Sequence, residues 1–255
     1  KKLSDGYVSD VRETSKGFVR YRIVEWRDID AWPQKVDGYT DTDESFLEGW
    51  KDKSKFRKPD GASYEWTLAS QKVVPMVESG KIDELWVFGA PYMGYWEAAM
   101  AGPGAFFING GVYDKVPSKK RFAIMGFSYE RGFAEMIHNL CHRAENHFKR
   151  VYGGWNAGEH RSLWDRFSAY EKTSPGKAGV GNCHFPPNAE KDYDYANPRK
   201  VLSAADLWLD YPNLEGKQKE VNCETWGGPD YHRNYLKWWY TRLPHLPGKA
   251  QDGRQ

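Results

Sequence analysis

The sequence lacks the features that assign a chain to several large classes of protein. Its 255 residues contain three cysteines and no C-x-x-C pair, which excludes zinc ribbons and thioredoxin-like redox motifs. Basic and acidic residues nearly balance, 37 against 35, so broad electrostatic capture of nucleic acid is not expected. No apolar run approaches the roughly 20 residues of a membrane helix. No dinucleotide, phosphate-loop, nucleophile-elbow or kinase signature occurs either. We therefore expect neither nucleic acid nor a membrane as a partner.

Aromatic residues are what the chain has in abundance. Trp, Tyr and Phe contribute 12, 16 and 12 residues, or 16% of the chain. The hydrophobic fraction of 40% is enough to fill a core. Because neither an internal repeat nor a clear linker is visible, we expect a single domain over residues 1–255.

Apolar runs that alternate with helical patterns favour an α/β fold. Continuous apolar runs predict buried strands at 82–89 and 121–127, and strict alternation predicts a strand at 18–26. A central, mainly parallel sheet flanked by helices follows, with long ordered loops. The predicted helices are 65–78, 129–151, 159–170, a short one after Ser203, and 231–241, and Ser128 is the predicted N-cap of the helix at 129–151. The predicted long loops are 37–62 and 173–197.

The long helix predicted at 129–151 carries a stripe of ionisable side chains. At 100° per residue, Glu135, His138, His142 and Glu145 lie within about 80° of arc. Two histidines at this spacing can reach one metal ion, and a glutamate can complete the site. The spacing matches the H-E-x-x-H motif of metalloproteases, but Asn139 stands where that motif has its general-base glutamate. A metalloprotease mechanism of that type is therefore disfavoured. A catalytic wall without metal and a solvated face of ordinary ion pairs are the alternatives.

A second candidate site begins where the strand at 82–89 ends. Tyr92, Tyr95, Trp96 and Glu97 follow that strand, and ligands of parallel sheets bind beyond the carboxyl ends of strands. Aromatic rings beside a carboxylate suit a carbohydrate cleft. The alternative is that these rings only pack at the end of the sheet as part of the core. Glu130, after the strand at 121–127, either faces the same cleft or complements a helix dipole.

The loop at 173–197 holds further candidates. Adjacent residues of an extended chain point apart, so Cys183 and His184 are not expected to form a nucleophile pair, although His184 can join a site made by the polar helix. Asp192 and Asp194 bind a hard cation such as calcium or belong to a solvated turn. Cys183 can also pair with Cys223 in an oxidising compartment.

Five segments of the chain carry a resemblance. They are IDELWVFG at 82–89, MGFSYERG at 125–132, HRAE at 142–145, GNCHFPPN at 181–188 and DYD at 192–194. The chain resembles, over about residues 20–247, a family of uncharacterised extracellular proteins of bacteria. The resemblance implies a secreted or envelope-associated single domain and brings no reaction with it. His142 lies in a matching motif and His138 does not, which weakens the two-histidine metal hypothesis.

The first functional hypothesis is an extracellular glycoside hydrolase that acts on polysaccharide. Glu97 and Glu135 would be its acid/base carboxylates, with Glu130 and His142 beside them, because glycosidic cleavage uses paired carboxylates. No cofactor is required, and the partner is a carbohydrate polymer or oligosaccharide. The expected substrate-binding side chains are Tyr92, Tyr95, Trp96, His184 and Trp226.

Two alternatives belong to other classes of protein. A metal-dependent hydrolase would use His138, His142 and Glu145 to hold a divalent ion, zinc or calcium. A non-catalytic carbohydrate-binding or structural domain would bind glycan without turnover.

Overall fold

The computed structural model describes residues 1–156 and 158–244, and the chain divides into two compact units. Unit 1 combines Lys1–Tyr21 with Phe133–Gln255, and unit 2 is Arg22–Gly132. Helices and strands are mixed along the chain, so the α/β class is confirmed in its broad form. The expectation of one domain stays a prediction.

Unit 2 contains a four-stranded sheet in the order β1-β4-β2-β3. Strand β1 runs parallel to β4, with Glu84 opposite Ala123 and Gly89 opposite Ser128. Strand β2 is antiparallel to β4 and parallel to β3. The sheet is therefore mixed with mostly parallel pairings. Its strands are β1 (Glu84–Gly89), β2 (Ala98–Ala101), β3 (Val112–Tyr113) and β4 (Phe122–Ser128).

Helices α2 (Asp43–Lys51), α3 (Tyr64–Ser70) and α4 (Val73–Glu78) also belong to unit 2. The helix predicted at 65–78 is broken into α3 and α4, because Lys72 adopts a left-handed conformation with φ 51°. Pro75 lies in the first turn of α4, where its missing N–H costs no helical hydrogen bond. Helix α2 was not predicted, since it lies in the charged segment 37–62. The core packs Tyr64, Leu68, Val73 and Val77 against Ala99, Ala101, Phe122 and Ile124.

The strand predicted at 18–26 is wrong. These residues have no regular structure, and no strand in the described part of the chain pairs with them. Alternation reports which side chains are apolar, whereas a strand also needs a partner for its backbone N–H and C=O groups. Phe18 and Trp26 are accordingly exposed.

Unit 1 is mainly helical. Helix α5 packs against both α1 and α8, and Arg233 of α8 makes two hydrogen bonds of 2.8 Å to Asp10 of α1. Since α5 begins at Phe133, the expectation that Ser128 caps it is wrong, and Ser128 instead ends β4. The elements are α1 (Lys2–Thr14), α5 (Phe133–Val151), α6 (Leu163–Ser168), α7 (Cys223–Trp226), α8 (Tyr231–Tyr240), and the antiparallel pair β5 (Val201–Ser203) and β6 (Lys219–Val221).

Residues 1–156 and 158–244 also contain two 3-10 helices, at Lys53–Lys55 and Ala205–Asp210. Within the second, burial raises the pKa of Asp206, but the hydrogen bonds from Lys219 and Arg242 together lower it by more than burial raises it. The pKa is therefore below its ordinary value. None of the helices in the described residues has both the length and the hydropathy of a membrane span.

Candidate metal centre

The ionisable stripe of α5 is not a solvated face. His138 is 1% exposed and Glu145 is 3% exposed. Ile137 and Cys141, on the opposite arc, are buried as well. The helix is therefore covered on both sides, and the face is not solvated, although His142 and Glu145 do form one of the i,i+3 pairs that this alternative expected. A buried imidazole beside a buried carboxylate needs partners.

Four side chains converge at this stripe. His138 and His142 of α5 meet Cys183 and His184, and each offers one ligand atom within 4.8 Å of all the others. The Nε2 atoms of His142 and His184 are 3.0 Å apart, and Cys183 Sγ lies 3.4 Å from His138 Nδ1. Tetrahedral zinc holds donor atoms about 3.3–3.8 Å apart, so the two Nε2 atoms would have to separate by a few tenths of an ångström to bind it. Within the described residues, this group of histidines and cysteine is the one that can hold a metal ion.

In two of the histidines, the ring nitrogen that faces away from the centre contacts a carboxylate. Glu145 Oε2 lies 3.1 Å from His142 Nδ1, and Asp192 Oδ1 lies 2.9 Å from His184 Nδ1. A carboxylate at Nδ1 holds the proton there, which leaves the Nε2 lone pair directed at the centre. Both imidazoles are thus oriented for metal binding by the same device.

Glu145 has a different place from the one expected. As a metal ligand it would offer an oxygen to the centre. Instead, its Oε1 accepts the backbone N–H of Cys183 at 2.6 Å while Oε2 faces His142. Cys183 and His184 occupy the positions that complete the donor set.

A tight turn presents both Cys183 and His184 to the centre. The N–H of Asn182 donates to Phe185 O at 3.0 Å, and the N–H of Phe185 donates back to Asn182 O at 3.2 Å. Gly181 precedes the turn at φ +85°, and a Cβ there would lie 2.3 Å from Phe185 O. The expectation that Cys183 and His184 point apart is therefore wrong, because it assumed an extended chain.

Buried aromatic side chains fix the carbonyl oxygens of this turn. Burial raises the pKa of both Tyr195 and Tyr235, so their hydroxyls stay protonated and act as donors. Three carbonyl oxygens of the turn each accept a hydrogen bond from one of these side chains: Gly181 O from Trp239 Nε1–H at 3.1 Å, Asn182 O from the Tyr235 hydroxyl at 2.8 Å and Cys183 O from the Tyr195 hydroxyl at 2.7 Å.

The centre is buried on one side and half-exposed on the other. Cys183 and His138 are buried, whereas the side chains of His142 and His184 are 15% and 28% exposed. The hydroxyl of Tyr193, an exposed residue with φ +57°, lies 3.3 Å from His184 Nε2. A small molecule from solvent would thus approach past His142, His184 and Tyr193.

Sequence reasoning missed a fourth imidazole beside these three. His232, in the first turn of α8, places Nε2 at 3.1 Å from His138 Nδ1. Its ring stacks on Tyr195 with centroids 4.5 Å apart. Its lone position in the chain gave no spacing signal, and only the packing of α8 on α5 brings it here.

The cysteines are thiols rather than disulfides. Cys141, Cys183 and Cys223 are all buried and unbridged, so the Cys183–Cys223 pair, which the sequence left open, is not formed in this structure. Burial raises the pKa of Cys141 to about 11, and its thiol is therefore protonated at neutral pH.

The predicted carboxylates are distributed over both units. Glu97 is half-buried in unit 2, where it accepts a hydrogen bond from the Asn109 amide, and Glu130 of the same unit is exposed. Glu135 is half-buried on α5 of unit 1, the unit that also contains His142. The pairing of Glu97 with Glu135 stays a prediction.

The predicted aromatic platforms have different environments. Tyr92 and Trp96 are exposed, as a platform requires, and burial raises the pKa of the partly buried Tyr95. Trp226, predicted to bind substrate, is instead buried, and its indole N–H donates to Tyr195 O at 2.8 Å. Its role is in the core of unit 1.

The two aspartates for which calcium binding and a solvated turn were the alternatives make contacts within the loop. Asp192 pairs with His184, and Asp194 Oδ2 accepts from the Asn197 amide at 2.7 Å and from Glu190 N–H at 2.9 Å. These bonds fix the loop around the centre.

No family model, curated protein or solved structure matches the chain. The resemblance to extracellular bacterial proteins stays a prediction.

Proposed function

We propose that this protein is a metal-dependent hydrolase whose centre holds one zinc ion between α5 and the turn at 181–185. One observation carries the proposal. The Nε2 atoms of His142 and His184 converge to 3.0 Å while a carboxylate faces each Nδ1. Imidazoles oriented in this way are typical of metal ligands.

The donor set selects the metal. Three imidazoles and one thiol suit zinc, whereas calcium takes six to eight oxygen ligands. Zinc is thus the ion that we propose over calcium. When bound, zinc polarises a carbonyl and lowers the pKa of a bound water.

The one-sided exposure of the centre favours catalysis over a purely structural role. A structural zinc site is closed by four protein ligands, whereas a catalytic site keeps a position for water or substrate. Because this centre offers four donors, the proposed catalysis requires the zinc to become five-coordinate or to leave one of the four unbound. His142 and His184 lie on the half-exposed side. The Tyr193 hydroxyl beside His184 is a hydrogen-bond donor for a substrate there.

A carbohydrate polymer is the substrate that we propose, outside the cell or in its envelope. Partly exposed rings flank the centre: Phe185 stacks on Tyr170 with centroids 4.8 Å apart, and Tyr193 lies 4.4 Å from the His184 ring. Such rings can stack on the apolar faces of sugars. In this proposal the loop at 173–197 is an ordered part of the substrate site.

Metal content tests the centre. Untagged protein, analysed by elemental mass spectrometry after exhaustive dialysis, should contain roughly one zinc per chain. His142→Ala and His184→Ala should each lose most of it. His147→Ala is the matched control, because His147 lies on α5 outside the donor group. A wild-type zinc content below roughly one-tenth per chain would remove the proposal.

Activity tests the reaction. Release of reducing ends or of acetate from a polysaccharide panel should stop on chelation and return with zinc. Turnover that survives chelation but is lost in Glu97→Gln would favour the paired-carboxylate glycosidase instead. Saturable glycan binding without turnover would favour the non-catalytic domain.

A further inference from the structure

Unit 2 contains three aromatic rings arranged around an ammonium group. Lys53 Nζ lies 4.1 Å from the ring centroid of Trp50, 4.4 Å from that of Tyr92 and 5.4 Å from that of Phe56. All three distances are within the reach of a cation–π interaction. We name Trp50, Phe56 and Tyr92 the aromatic cage.

The rings of the cage support one another. Phe56 stacks on Tyr92 with centroids 4.8 Å apart, and Trp50 meets Tyr92 edge-on at 5.8 Å. Behind them, the buried Phe46 contacts both Trp50 and Phe56. The cage is thus held from the core side independently of Lys53.

The front of the cage faces solvent. Trp50 and Tyr92 are 41% and 49% exposed. Trp50 is in the last turn of α2, Lys53 opens the 3-10 helix that follows, and Tyr92 follows β1 at φ +68°. A ligand can therefore reach the rings without any rearrangement of the sheet.

The present occupant is a poor match for its site. The Lys53 ammonium donates a hydrogen bond to Trp50 O at 2.8 Å, and its side chain is exposed. A primary ammonium is strongly hydrated and its stem is flexible, whereas a quaternary ammonium is the cation that aromatic cages recognise in general.

We propose that the aromatic cage is a binding site for a quaternary or methylated ammonium group of a ligand, which displaces the Lys53 ammonium. The ring faces of Trp50 and Tyr92, whose planes meet at 81°, attract the positive charge, and Phe56 supports Tyr92 by stacking on it. The methyl groups of the ligand replace water at the rings. Lys53 competes for the same position and keeps the affinity of the free protein low. The site is independent of the proposed metal centre.

Choline is the probe for this site, and 3,3-dimethylbutan-1-ol, its uncharged isostere, is the matched ligand. Binding is measured by saturation-transfer NMR and calorimetry at constant ionic strength. Lys53→Ala should bind choline roughly tenfold more tightly than the wild type, and the isostere should bind this variant at least roughly tenfold more weakly than choline does. Lys55→Ala, in the same 3-10 helix, should behave as the wild type.

Further variants test whether the rings and the competing charge set the affinity. Lys53→Gln should show the same gain as Lys53→Ala, because each removes the competing charge. Adding Tyr92→Ala to Lys53→Ala should abolish the gain, with thermal unfolding used to verify folding. Equal binding of choline and its isostere would overturn the proposal, since it would indicate an apolar or sugar-stacking surface. Choline affinity unchanged in both Lys53 variants would overturn it as well.

Discussion

Glu145→Gln tests whether a buried carboxylate sets the protonation of a metal-binding histidine. The glutamate accepts from Cys183 N–H with one oxygen and faces His142 Nδ1 with the other. Glutamine has the same shape but only one acceptor oxygen. If that oxygen keeps the Cys183 bond, the amide N–H₂ faces His142 Nδ1 and favours the tautomer with its proton on Nε2. That tautomer cannot bind a metal through Nε2.

The opposite orientation of the glutamine is no better. With its oxygen toward His142, the amide donor faces the donor N–H of Cys183, and a buried N–H loses its partner. Loss of an outer-shell carboxylate typically lowers metal affinity by 10- to 100-fold. We therefore expect Glu145→Gln to weaken zinc binding by about 1.4–2.7 kcal/mol.

A competition titration against a chromophoric chelator measures this change. Glu224→Gln, at an exposed glutamate of α7, is the control and should leave the affinity unchanged. Asp192→Asn should weaken binding by only about threefold, because Asp192 is exposed and water can replace its carboxylate. Zinc affinity of Glu145→Gln within about twofold of the wild type would refute the reasoning about the tautomer.

Three further predictions concern stability. Gly181→Ala should lower the free energy of unfolding in urea by about 2–3 kcal/mol, because the new Cβ would lie 2.3 Å from a carbonyl oxygen. Gly176→Ala is the control, since Gly176 is also at positive φ but has nothing within 4 Å, and it should cost about 1 kcal/mol. Equal costs would contradict the idea that the close carbonyl destabilises Gly181→Ala. Tyr195→Phe leaves a buried carbonyl without its donor and should cost about 1–2 kcal/mol in the same assay. The pKa of Asp206 in the folded protein is below its ordinary 3.8. The ionised carboxylate therefore contributes its full stabilisation of the fold above pH 3.8, and this stabilisation is lost as the pH falls through the pKa of the folded state. Urea midpoints of Asp206→Asn should therefore depend less on pH below about 4 than those of the wild type, and parallel profiles would contradict this.

The elements that the sequence predicted well are those whose burial pattern is local. β1 and β4 are continuous apolar runs that become buried or half-buried strands, and α8 follows its amphipathic pattern. Boundaries were less accurate. α5 begins at Phe133, four residues after its predicted start at Tyr129, because residues 129–132 form a turn in which Arg131 N–H donates to Ser128 O at 3.2 Å.

The candidate site was half predictable. Helical spacing placed His138 and His142 on one face, and this needs no tertiary information. The contribution of Cys183 depends on a turn closed by reciprocal hydrogen bonds between Asn182 and Phe185, and that of Asp192 depends on a loop that returns to the turn through Tyr193 N–H and His184 O. Neither residue type nor periodicity reports these contacts. For the same reason Glu145 resembled a ligand in sequence, although its oxygens face an imidazole and a backbone N–H.

The aromatic content of unit 1 has a structural cause that does not need a ligand. The turn that carries Cys183 and His184 is irregular, so its carbonyl oxygens have no ladder of their own, and buried carbonyls must be paired. Trp239, Tyr235 and Tyr195 bring a hydrogen-bond donor and apolar bulk together. These contacts hold the Cys183 thiol and the His184 imidazole in place without the metal. Because little ordering is then left to occur on metal binding, the same contacts should raise the affinity of the centre.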